Sequence, residues 1–136
     1  MPLTIDVLTL FPRMLDGFLV ESILGKGIAA GHLAVKVHDV RAWSTDKHRR
    51  ADDRPFGGGP GMVFMAQPLL DALAVIRQQR QDQAPVVLFA PLGVRLDHSA
   101  VQGWSDSAGA ILICGRYEGV DQRFIDAHVD VQISLG

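Results

Sequence analysis

Residues 115–121 read Gly-Arg-Tyr-Glu-Gly-Val-Asp and follow directly on the apolar run of residues 110–114. A cation, a phenol and two carboxylates, spaced by glycines, thus stand where a buried strand pattern ends. α/β proteins bind ligands beyond the carboxyl ends of such strands, and glycines let backbone approach a ligand closely or take positive φ. Two more glycine-bearing segments follow strand patterns: Pro91-Leu92-Gly93 after residues 86–90, and Leu135-Gly136 after residues 129–134. In a parallel sheet all three meet at one edge, so a single pocket of three loops is the economical reading. Each glycine alone is more often a strand cap or the start of a turn, and the inference rests on the set.

A second concentration of chemistry lies upstream. Lys47, His48, Arg49, Arg50, Asp52, Asp53 and Arg54 run into Phe56-Gly57-Gly58-Gly59-Pro60-Gly61. The bases could grip phosphates and the acids could contact a base edge. Taken alone, a short run whose acids nearly cancel its bases reads as solvated surface. The glycines carry neither the lysine and hydroxyl of a Walker loop nor dinucleotide-binding spacing after a strand, which argues against a nucleotide triphosphate. The five histidines are scattered, and no metal ligand is nominated. Cys114, the sole cysteine, excludes an internal disulfide and a thiolate cage; at the end of an apolar strand it reads as a buried structural thiol rather than a nucleophile.

The elements that would position these groups follow from periodicity. Residues 3–11 alternate apolar side chains with Thr4, Asp6 and Thr9, giving a strand closed by Pro12. Met14, Leu15, Phe18, Leu19, Ile23 and Leu24 recur at helical spacing up to Gly25 and Gly27, and residues 33–37 alternate again as a second strand. Residues 41–61 read as a long exposed loop. A helix from Pro68 to about Arg80, with Leu69, Leu70, Leu73 and Ile76 as its apolar stripe, precedes two strand–loop units with a short helix near residues 96–104 between them. A helix over residues 120–128 and a last strand over 129–134 complete the pattern. With 136 residues, 48% of them hydrophobic, the chain predicts one α/β domain over residues 1–136, a mostly parallel sheet flanked by helices. A formal charge of −2 gives no global signature of nucleic-acid binding. The chain opens directly into a strand pattern, without a signal peptide or an apolar run of membrane-spanning length, so a soluble cytoplasmic protein with no membrane partner is expected.

Four segments in order carry a family resemblance: Leu10-Phe11-Pro12; Asp52-Asp53-Arg54-Pro55-Phe56-Gly57-Gly58-Gly59-Pro60-Gly61-Met62; Pro91-Leu92-Gly93; and Cys114-Gly115-Arg116-Tyr117-Glu118-Gly119-Val120-Asp121. Together they resemble the bacterial tRNA (guanine-37, N1) methyltransferases, the TrmD family, across the whole chain. The second and fourth strings are long and far more specific than a lone glycine motif. The resemblance implies an S-adenosyl-L-methionine-dependent homodimer with a SPOUT-type trefoil-knot α/β domain, an exception to the rule against knots, acting on tRNA with guanine at position 37. It implies that Pro91, Leu92, Gly93, Gly115, Tyr117, Gly119, Ser134, Leu135 and Gly136 wrap the methyl donor. It places Arg116 and Glu118 near the target guanine and Asp52 as a substrate-side carboxylate contributed across the dimer. Guanine N1 carries a proton at neutral pH, so its methylation needs a base for that proton and a donor for charge growing on O6, which carboxylates and an arginine can meet.

Some positions depart from the family pattern. Leu92 stands where glutamine is usual, Ala90 where serine is common and Phe56 where tyrosine is common. The family also continues past the equivalent of Gly136 into a segment that completes the knot, into its general-base aspartate and into a tRNA-binding domain. These 136 residues are therefore expected to be incomplete for turnover, and a divalent ion is left open. The alternative is a stand-alone cofactor-binding or dimerising module without turnover. A third reading, an RNA methyltransferase with another base target, is disfavoured by the length of the matching strings.

Overall fold

The computed structural model describes residues 2–45, 52–53, 63–114 and 120–135; at residues 52, 53, 63 and 64 the backbone alone is described. In chain order the elements are β1 (Leu3–Thr9), α1 (Asp16–Val20), α2 (Ser22–Ala29), β2 (Leu33–Asp39), β3 (Asp52–Asp53), β4 (Val63–Phe64), α3 (Ala66–Arg80), β5 (Val86–Arg95), α4 (His98–Ser105), β6 (Gly109–Ile113), α5 (Gln122–His128) and β7 (Val131–Ser134). Five strands form one sheet in the order β2-β1-β6-β5-β7, with every pairing parallel. The expected α/β class and parallel sheet are what the chain adopts.

The sheet is covered on both faces. Leu8, Leu88, Ile111 and Ile113 join Leu69, Leu73 and Ile76 of α3 and Phe124 of α5 in one apolar cluster. Val87, Ala110 and Ile133 point to the opposite face, where Trp104 of α4 and Leu96 pack, as the two-residue period of strands requires. The polar members of β1 are consequently not a solvent face. Asp6 is 1% and Thr9 8% exposed, because parallel sheets buried on both faces show no clean alternation. β6 also approaches β1 closely at its start: Gly109 sits at φ 133°, and a Cβ there would overlap the Thr4 carbonyl oxygen.

Three boundaries differ from the periodic reading. The helix expected from Met14 to the glycines is broken into a 3₁₀ turn (Pro12–Leu15), α1 and α2. Glu21 is extended between the two helices and Ser22, the first residue of α2, takes φ 59°, while α2 runs on through Gly25 and Gly27. Apolar spacing is blind to a single left-handed residue, since it leaves the stripe in phase on either side. Second, the region read as one exposed loop holds a 3₁₀ turn (Val40–Trp43) and the antiparallel pair β3–β4, with Asp52 opposite Phe64 and Asp53 opposite Val63. Third, β5 does not stop before Pro91.

Candidate functional site

Pairing with β7 carries β5 through to Arg95. Phe89 and Val94 are both registered on Ile133, so residues 90–93 bulge out of the ladder between them. The expected turn after a strand end is therefore an excursion within a strand, a correction that moves the loop without changing its edge. Proline lacks the N–H a ladder requires, so Pro91 falls naturally in the part that leaves it. Leu92 is fully exposed within the excursion. Gly93 returns the chain to the sheet, where a Cβ would lie 2.5 Å from the Gln132 carbonyl carbon, a separation that no side chain permits.

β6, β5 and β7 are adjacent and parallel, so their carboxyl ends share one edge. There β6 delivers Cys114, whose N–H donates to the Leu8 carbonyl at 3.0 Å. β7 delivers Ser134, whose carbonyl accepts from Leu96 N–H at 3.0 Å, and then Leu135, 71% exposed. Pro91, Leu92, Gly93, Ser134 and Leu135 are thus brought to the edge at which Cys114 also ends. Gly115, Arg116, Tyr117, Glu118, Gly119 and Gly136 lie outside the described residues, as do Lys47, His48, Arg49 and Arg50. Asp52 is placed in β3 by its backbone.

The charged segment departs from the same edge. β2 ends at Asp39, whose carboxylate accepts from Arg41 N–H at 3.0 Å and caps the following 3₁₀ turn. Gln67 in the first turn of α3 then donates to the Trp43 carbonyl at 2.7 Å and to Asp71 at 2.6 Å, while its own carbonyl accepts from Thr45 N–H at 3.3 Å. This ties the departure point of residues 46–51 to α3. The sequence reading missed this tether, because a glutamine in a helix gives no signal until its partners are known.

Charge at the edge is partly committed to structure. Asp121, one of the two carboxylates of the glycine-bearing string, caps α5 by accepting from Arg123 N–H at 2.9 Å and also takes the Arg123 guanidinium at 2.7 Å. That guanidinium holds the Asp121 carboxyl below the usual carboxylate range. Burial pushes the Cys114 thiol up, which keeps it protonated and a weak nucleophile at neutral pH.

An ionic network that alternation concealed ties the middle of β1 to β2 and to the end of α3. Asp6 accepts from Arg80 Nη1 at 2.9 Å and faces His38 Nε2 at 2.7 Å. Arg80 also donates to the Thr4 carbonyl at 2.8 Å and, through Nε, to Asp82 at 3.0 Å. Burial opposes the charge on Arg80, but its hydrogen bonds to Asp82 and Asp6 outweigh it and raise its pKa, while Arg80 lowers that of Asp82. The network fastens the end of α3 to β1. Among the described residues no group of three or more histidines, cysteines, aspartates or glutamates could hold a metal ion, and no helix is long and apolar enough to cross a membrane.

The family model of tRNA (guanine-1)-methyltransferase TrmD matches residues 3–136. The chain belongs to the TrmD family. A tRNA (guanine-N(1)-)-methyltransferase of Albidiferax ferrireducens is 55% identical over 131 residues, covering 96% of this chain and 53% of that protein. One from Paracidovorax citrulli is 53% identical over 135 residues, with the same coverage of each chain. This TrmD-family chain therefore spans about half the length of the curated relatives it matches. The crystal structure of tRNA (m1G37) methyltransferase from Aquifex aeolicus superimposes with a TM-score of 0.89 at 34% identity, covering 100% of this chain and 61% of that one. The fold is thus the SPOUT methyltransferase fold that the TrmD resemblance implied.

Proposed function

We propose that this chain is the methyl-donor-binding portion of a tRNA (guanine-37, N1) methyltransferase, taking S-adenosyl-L-methionine as donor, tRNA with guanine at position 37 as substrate and a second copy of itself as partner, in the cytoplasm. Membership of the TrmD family over nearly the whole chain carries this reading. The convergence of three loop origins at one carboxyl edge supports it independently.

The described residues suit the donor. Exposed apolar Leu92 and Leu135 offer surface to a purine ring, and a backbone-rich edge with Gly93 leaves room for main-chain contacts. On this reading Pro91, Leu92, Gly93, Gly115, Tyr117, Gly119, Ser134, Leu135 and Gly136 hold the donor. When bound, S-adenosyl-L-methionine supplies an electrophilic methyl group. Arg116 stabilises negative charge growing on guanine O6, Glu118 orients the base, and Asp52 contacts the substrate from the charged segment. The replacement of the family's usual glutamine by Leu92 is tolerable where contacts run through main chain. The general base and the principal tRNA-binding surface are assigned on this reading to the part of the relatives' length that these 136 residues do not span. A second copy would cover Met14, Phe18, Val20 and Ile23, which are between 66% and 83% exposed on neighbouring turns.

Calorimetric titration of the 136-residue chain with S-adenosyl-L-methionine tests donor binding; saturable heat is expected, and its loss in Leu135→Asp, at an exposed position outside the core, would locate the site. No binding by the unaltered chain would remove the proposal that these loops suffice for a pocket. In a chain of the relatives' full length, Arg116→Ala should lower single-turnover methyl transfer far more than donor affinity. Equal losses in the two would reject its transition-state role. Turnover on tRNA by a full-length chain separates an enzyme from a binding module.

A further inference from the structure

Gln67 uses every hydrogen bond that its amide can make. Its nitrogen donates to the Trp43 carbonyl at 2.7 Å and to Asp71 at 2.6 Å, and its oxygen accepts from Thr45 N–H at 3.3 Å and from Thr45 Oγ1 at 3.4 Å. A carbonyl and a carboxylate only accept, so the amide has one orientation. The bond to Asp71, one turn along α3, is ordinary for a glutamine on a helix; those to residues 43 and 45 are not. What the amide joins is already stationary. Val40 and Ser44 are buried on one side, and Leu69 and Ala72 of α3 are fully buried on the other.

The same side chain stands at the base of the backbone that places Asp52. The chain leaves the body of the protein after Thr45 and comes back to it at Ala66, which packs on the main apolar cluster as Trp43 does. Between these points Phe64 of β4, just before α3, pairs with Asp52 of β3. A pair of strands this short is not stable by itself, so the place of Asp52 depends on what anchors β4. We infer that Gln67 is a positioning residue for methyl transfer: by joining residues 43–45 to the first turn of α3 it fixes the base of β4 and, through the Asp52–Phe64 pairing, the place of Asp52. Asp52 matters here on the reading in which it contacts the substrate, and the role of Gln67 rests on that reading.

Single-turnover methylation of guanine-37 tRNA by a chain of the relatives' full length tests it, comparing the unaltered chain with Gln67→Glu, Asp52→Ala and the double variant. Gln67→Glu keeps the size and helix propensity of the side chain but turns an oxygen towards acceptors at Trp43 or Asp71, which opens the junction. A rate constant about 10–100-fold lower at saturating tRNA and donor is expected, with calorimetric donor affinity unchanged and far-UV circular dichroism that of a folded chain. Because Gln67 acts through Asp52, Gln67→Glu should add less than about twofold to the loss already caused by Asp52→Ala. An undiminished rate in Gln67→Glu or in Asp52→Ala, losses that multiply in the double variant, or an equal loss of donor affinity would each overturn the positioning role while the methyltransferase reading stands. No turnover by the unaltered chain would overturn both. If Gln67→Glu fails to fold, Gln67→Met, which removes the bonds without adding a charge, takes its place in the same comparison; failure of both to fold would make Gln67 a structural residue and overturn the inference.

Discussion

Arg80 and Asp6 bring opposite charges into a nearly dry part of the sheet, with side chains 3% and 2% exposed. Such a pair adds little over a well-packed apolar pair, but breaking it strands a buried charge. Arg80→Met is expected to cost about 3–5 kcal/mol in urea unfolding, and Asp6→Leu/Arg80→Met should recover most of that loss. A single-variant cost under about 1 kcal/mol would show that water or His38 compensates Asp6. Asp6 also marks a limit of residue-level reading. An acid between apolar neighbours in β1 looks like the outward half of an alternation, and only partners far along the chain, Arg80 and His38, make its burial tolerable. The glycine-bearing string stands out in the sequence for the opposite reason: its charged residues are contiguous and need no distant partner to be noticed.

Helix α3 was foreseen almost to the residue because its stripe of Leu69, Leu73 and Ile76 is regular and Pro68 falls in the first turn, where a missing N–H costs nothing. It ends on Gln81, left-handed at φ 56°, whose N–H donates to the Arg77 carbonyl at 3.0 Å. Glycine is the usual occupant of such a position, since it takes that conformation without a Cβ penalty. Gln81→Gly is therefore expected to raise the unfolding free energy by about 0.5–1 kcal/mol, measured by chemical denaturation; a loss of stability would mean that the glutamine side chain contributes packing that outweighs backbone strain. Elements defined by partners rather than by period were harder to read. β5 looked finished at Pro91 because the pairing that extends it, Val94 on Ile133 and Arg95 on Ser134, joins segments distant in sequence. β3 and β4, two residues each, are too short to show any period and exist only as a pair.

At the scale of the whole molecule, the parallel sheet and its helical covers were implied by strands alternating with helical patterns. Their spatial order was not, because nothing local says that β6 is inserted between β1 and β5. The apolar surface left by Met14, Phe18, Val20 and Ile23 belongs to this scale as well, since it has no cover within the described residues. If a second copy covers it, light scattering after gel filtration should give twice the 14.8 kDa chain mass, and Phe18→Asp should return it to one chain mass with unchanged far-UV circular dichroism. A monomer at micromolar concentration would reject self-association through this surface. The placement of β6 has a consequence for how the molecule is made. β1 precedes β6 by about a hundred residues, yet Thr4 pairs with Gly109 and Leu8 with Ile113. One flank of β1 therefore waits, unpaired and apolar, until β6 has been synthesised, and closing so long a loop slows sheet completion. Until β6 arrives, that flank of β1 is open to non-native pairing and association.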